Sequence, residues 1–104
     1  MSLSEKVINN LTNVLKAQAQ KQKAELKISN KRNVFGGRIK SNRGTIEVDV
    51  IFDDNTAFIH LSNGLFSSKE DYHCACLSDE DYEKESSKIE QYINDCFKLK
   101  LVKK

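Results

Sequence analysis

The sequence predicts an α+β fold: a two-layer sandwich in which an antiparallel meander of three to five strands carries an N-terminal and a C-terminal helix on one face. Three observations lead there. Apolar residues recur at helical spacing over the first 23 positions, at strand spacing from residue 26 to residue 77, and at helical spacing again from residue 79. With 104 residues, the chain (1–104) is expected to form a single domain around one core.

Ser2-Leu3-Ser4-Glu5 has the spacing of a capping box, in which a Ser hydroxyl and a Glu three residues on satisfy free amides at a helix start. Val7, Ile8, Leu11, Val14 and Leu15 then form one apolar stripe. Beyond Leu15 only Ala17, Ala19 and Ala24 continue it among Gln and Lys, so the second half is expected to be solvated, ending near Lys23.

From Leu26 the alternation becomes two-fold in "LKIS", "VFGGRIKS", "GTIEVDVIF" and "TAFIHLS", each bounded by Asn, Asp or Gly. Aligning Phe52 with Ala57, Val50 with Ile59 and Val48 with Leu61 across "DDNT" puts every apolar partner on one face. The same register sets Ile51 against Phe58, Asp49 against His60 and Glu47 against Ser62 on the other. A turn at Arg43-Gly44 would pair Lys40 with Glu47, Arg38 with Asp49 and Ile39 with Val48.

"DYHCACL" reads as a further short strand, with Tyr72, Cys74 and Cys76 on one side and His73, Ala75 and Leu77 on the other. Ser78 followed by three acids starts the last helix, whose inner stripe is Tyr82, Ser86, Ile89, Ile93, Cys96 and Phe97. Both helices are expected to cover Ile39, Ile46, Val48, Val50, Phe52, Ile59 and Leu61, leaving the second sheet face open. The tail "LKLVKK", or the loop "NGLFSS" with Leu65 and Phe66, is the alternative cover for that face.

Composition bounds the setting. No basic segment followed by an unbroken apolar run opens the chain, and no window is long enough to cross a bilayer, so no membrane association is expected. Three cysteines cannot all pair within one chain, and Cys74 and Cys76 are one residue apart, which suits a reducing cytoplasm. The net charge of +2 conceals an asymmetry: residues 1–43 hold ten Lys or Arg against two acids, and residues 44–95 hold three against thirteen.

That asymmetry raises one functional reading. Residues 31–44 carry five basic side chains and three glycines without an acid. Lys21, Lys23, Lys27, Lys31, Arg32 and Arg43, with Phe35 beside them, could together form a basic edge for nucleic acid. Specific modules fail their tests. The last helix opens with "DEDYEKE" where a double-stranded RNA-binding domain needs basic residues, and the paired aromatics of an RNA recognition motif and the phosphate-loop Lys are missing.

The other chemistry is sparse. "HCAC" with His60 and Cys96 invites a metal, but His73 points away from Cys74 and Cys76 on a strand, and a one-residue gap is not zinc spacing; no metal or other cofactor is expected from this set. Asp49 and His60 are the one acid–imidazole pair suited to proton transfer, without a nucleophile beside them, so no catalysis is expected. Ile51 and Phe58, ringed by Asp49, Glu47, His60 and Arg38, have the apolar centre and charged rim of a protein interface. The leading expectation is therefore a small non-catalytic cytoplasmic protein-binding domain of inhibitor, immunity-type or adaptor role, docking an unidentified protein partner through Ile51, Phe58, Asp49, His60 and Glu47. Nucleic-acid binding through the basic edge is the alternative, and a homodimer formed through an edge strand or the open face is the third.

Overall fold

The computed structural model describes residues 2–42, 44–64 and 70–98. They form α1 (Leu3–Gln22), β1 (Glu25–Lys31), β2 (Val34–Ser41), β3 (Gly44–Asp53), β4 (Thr56–Asn63), β5 (Tyr72–Cys76) and α2 (Asp79–Lys98). The strands make one antiparallel sheet in the order β1-β2-β3-β4-β5, with both helices on one face. This is the α+β sandwich expected from the sequence, with the upper strand count.

The capping box opens α1: Ser2 Oγ accepts from the Glu5 amide at 3.2 Å, and the Glu5 carboxylate accepts from the Ser2 amide at 3.1 Å. The helix stops where Lys23 turns left-handed at φ 53° and the Ala24 amide returns to the Ala19 carbonyl at 2.9 Å. Val7, Leu11 and Leu15 are fully buried. The second half is exposed at Lys16, Ala17, Gln20 and Lys21, as composition suggested, but Gln18 and Ala19 are buried, and Gln18 Nε2 donates to Asn94 Oδ1 of α2 at 2.5 Å. A polar helix–helix bridge thus replaces the missing apolar stripe.

Across β3 and β4 the register is as read from the sequence, including Ile51 opposite Phe58 and Asp49 opposite His60. Between β2 and β3 it differs. Ser41 pairs with Gly44, which puts the register two residues away from the expected one, so Arg38 meets Glu47, Ile39 meets Ile46 and Lys40 meets Thr45. Moving the turn by one residue moves the pairing by two, which keeps every side chain on its expected face and changes only its neighbours. Gly44, at φ 129°, opens β3, and the Ser41 hydroxyl donates to its carbonyl at 3.3 Å.

In α2, Ser78 Oγ accepts from the Asp81 amide at 3.1 Å, and Asp81 Oδ2 accepts from the Leu77 amide at 3.0 Å. Tyr82, Ile89, Ile93, Cys96 and Phe97 are buried as expected, joined by Tyr92; Ser86 is half-buried. The covered sheet face supplies Ile39, Ile46, Val48, Val50, Ile59 and Leu61, with Phe52 half-buried at its border. Phe35 is fully buried in the same core, so it does not flank a basic surface. No helix among the described residues is long and apolar enough to cross a membrane. Leu65, Phe66 and the tail from residue 99 lie outside the described residues.

Candidate functional site

The sheet face that neither helix covers is ordered in rows, because antiparallel partners stand side by side and successive rows are two residues apart. One row is apolar: Val34, Ile51, Phe58 and Ala75 are consecutive partners from β2 to β5. Val34 is 44% exposed, Ile51 55% and Phe58 47%, so this row is on the surface and outside the core. Leu77, just past β5, is 67% exposed and extends the apolar character along that edge. Sequence reasoning found Ile51 and Phe58; Val34 was missed because pairing it with Ile51 depends on the β2–β3 register.

The next row runs Ser29, Gly36, Asp49, His60 and His73. The His60 and His73 rings stack with centroids 4.2 Å apart and planes 10° from parallel. His60 Nε2 lies 3.0 Å from Asp71 Oδ2, and this bond is the main cause holding the Asp71 carboxyl below its ordinary range. Asp49 is the cross-strand neighbour of His60, as expected, but the imidazole turns its Nε2 to Asp71. His73 points away from Cys74 and Cys76 as strand alternation requires; its proximity to His60 follows from the β4–β5 pairing, which the intervening loop hides from a sequence reader.

The third row holds Lys27, Arg38, Glu47 and Ser62. Arg38 Nη2 and Glu47 Oε2 are 2.7 Å apart, so Glu47 is paired with Arg38 and not with Lys40. Both are exposed enough for this pair to stabilise by roughly 1 kcal/mol or less. Two shallow depressions mark the face. One, of ≈ 370 Å³, lies over Gly36 between Lys27, Arg38, Glu47 and Asp49; the other, of ≈ 550 Å³, lies among Ile51, Phe58, His60, His73 and Ala75.

The basic residues are strung out. Lys21 is in the last turn of α1 and Lys23 caps it; Lys27 and Lys31 stand on the open-face side of edge strand β1; Arg32 is in the following turn; Arg43 lies outside the described residues. Six residue steps of strand put Lys31 about 20 Å from the start of β1. Among the described residues, they are spread from the end of α1 along β1 to the following turn. Gly37 faces away from these side chains: a Cβ on it would sit 2.4 Å from Leu15 Cδ1 in the core.

Burial disfavours the thiolate form of Cys74 and Cys76. Cys74, Cys76 and Cys96 are free of disulfides; burial pushes Cys74 up to about 12, with Cys76 beside it adding to the rise, and burial raises Cys76 also. Comparison with family profiles, curated proteins and solved structures gives no match.

Proposed function

We propose that the protein is a non-catalytic binding domain that docks a protein partner on its open sheet face. The observation that carries this reading is the in-register row Val34, Ile51, Phe58 and Ala75, which presents three large exposed apolar side chains across neighbouring strands. Charges flank it: Lys31 stands beside Val34, and the Asp49 row and the Arg38–Glu47 pair follow on one side. An apolar centre within a mixed-charge rim favours a folded protein surface over a uniformly charged polymer. The residues at the centre are Ile51 and Phe58, with Asp49, His60 and Glu47 on the rim.

The test is capture on the immobilised protein, comparing wild type with Ile51→Asp and Phe58→Asp after circular dichroism has shown both variants folded. Loss of the same captured protein in both variants supports the reading. Unchanged capture sinks it.

A second reading, nucleic-acid binding, draws on Lys27 and Lys31, which share the open-face side of an edge strand. It requires anisotropy of labelled RNA or DNA to fall steeply with salt and to depend on both lysines.

A further inference from the structure

We propose that His60, Asp71 and His73 form a binding site for a divalent transition-metal ion, with zinc the ion they suit best. Each of the three offers one ligand atom, and these atoms all lie within 4.8 Å of one another. Among the described residues this is the one such group. Zinc with bonds of about 2.0–2.2 Å in a tetrahedral site spaces its ligand atoms roughly 3.3–3.6 Å apart. The ligand atoms must draw together by up to about 1.5 Å, and the two imidazoles, stacked near-parallel, must rotate out of that stack to aim their nitrogen lone pairs at one ion.

The fold supplies the preorganisation. His60 and His73 are direct partners across β4 and β5, which fixes their side chains on the same face. Asp71 precedes β5 by one residue and holds His60 Nε2 at 3.0 Å. A metal ion replaces the proton shared by that pair, accepting a lone pair from nitrogen on one side and from the carboxylate on the other. Two imidazoles and one carboxylate select zinc, nickel or copper over magnesium and calcium, which prefer all-oxygen sites. The carboxylate offsets one of the ion's two charges, and Asp49, next to His60 in the same row, adds a second negative group nearby.

Three protein ligands on an open face leave the fourth position of the tetrahedron to solvent or to a side chain from outside the molecule. This ligand set differs from the one suggested by "HCAC": it uses the histidine side of β5 and leaves out the thiols, which are on the core side. The site does not rest on the docking reading, since it binds or fails to bind metal in the isolated chain.

The experiment titrates the tag-free, chelator-treated chain with zinc chloride under reducing conditions, by calorimetry and by NMR of the imidazole resonances. The expected result is one saturable zinc per chain, resonance shifts at both His60 and His73, and affinity weakened more than roughly tenfold in His73→Ala and in Asp71→Asn. Cobalt(II) in place of zinc should give a spectrum without a thiolate charge-transfer band. No saturable uptake, unshifted imidazoles, uptake that survives both substitutions, or a thiolate band would each overturn the proposal. Asp71 and His73, the two positions substituted, are exposed, so the variants retain the core, and the imidazole shifts in the wild type require no variant.

Discussion

Gly37→Ala tests which face of the Gly36-Gly37 pair the fold depends on. A methyl group on Gly37 points into the core, where its carbon would stand 2.4 Å from Leu15 Cδ1 and 3.7 Å from Leu15 Cγ. Carbon atoms in contact normally lie about 3.5–4.0 Å apart, so Leu15 must retreat by more than roughly 1 Å. Leu15 is fully buried and has no space to retreat into without moving its neighbours. Overpacking of this kind costs about 1–3 kcal/mol. Loss of glycine freedom in the unfolded chain returns about 0.4–1 kcal/mol. The net expectation is a loss of about 1–2 kcal/mol, a fall in Tm of several degrees for a domain of this size.

Gly36→Ala is the matched comparison, because its methyl group meets nothing closer than Asp49 Oδ1 at 3.7 Å. It should leave stability unchanged or raise it by up to ~1 kcal/mol. Urea unfolding with a common m-value measures both. Leu15→Ala completes a cycle: alone it should cost about 2–5 kcal/mol, and in the Gly37→Ala background less, because there it also deletes the clashing Cδ1. A Gly37→Ala protein as stable as Gly36→Ala, or strict additivity with Leu15→Ala, would refute the packing argument.

Two further outcomes concern titration. The Glu5 carboxyl is held below its ordinary range, first by the Ser2 amide and then by the Ser2 hydroxyl. Because its folded value is depressed, the cap's contribution is present above the unfolded carboxylate value near ~4.3 and disappears as pH falls through the folded value. An NMR titration should place the Glu5 midpoint below ~4.3 and move it upward in Ser2→Ala; an ordinary midpoint in the wild type contradicts the cap. Cys74, pushed up to about 12, should react with iodoacetamide at about pH 8 on the order of 10³ times more slowly in the native protein than in denaturant. Mass spectrometry of timed samples reads this directly, and fast native modification would mean that the thiol is not shielded as described.

The sequence carried most of the fold because its periodicities are local. A capping box and stripe mark α1, strict alternation marks β3 and β4, and Ser78 with three acids marks α2. Where it failed, the deciding contact was between distant residues. Gln18 is buried by pairing with Asn94, 76 positions away, and nothing near Gln18 announces that. The turn between β2 and β3 offered two adjacent positions, and an even change of register preserves the hydrophobic pattern, so pattern alone cannot choose. The same limit hid part of the helix-free sheet face. Ile51 and Phe58 were legible as a hairpin pair, whereas Val34 and the His60–His73 stack depend on the pairings of β2 with β3 and of β4 with β5.

Lys27 and Lys31 separate two explanations of the basic edge. β1 is an edge strand, and six of its seven residues are exposed. Such an edge offers free amides and carbonyls to another chain, and lysines on it oppose that pairing by requiring a charge to be desolvated. Lys31 also stands beside Val34, at the end of the apolar row. Replacing it with Val would carry that row out to the edge. If the lysines guard the edge, Lys27→Val with Lys31→Val should make the protein self-associate, seen by light scattering as a mass that rises with concentration. If they contact phosphates, the doubly substituted protein should stay monomeric. The log–log salt slope of nucleic-acid binding should then lose roughly 0.7–0.9 for each lysine removed. Self-association without any nucleic-acid binding in the wild type assigns the basic edge to protection of the sheet. A monomer with a reduced salt slope would return the charges of β1 to the nucleic-acid reading and leave the exposed apolar row to be explained without them.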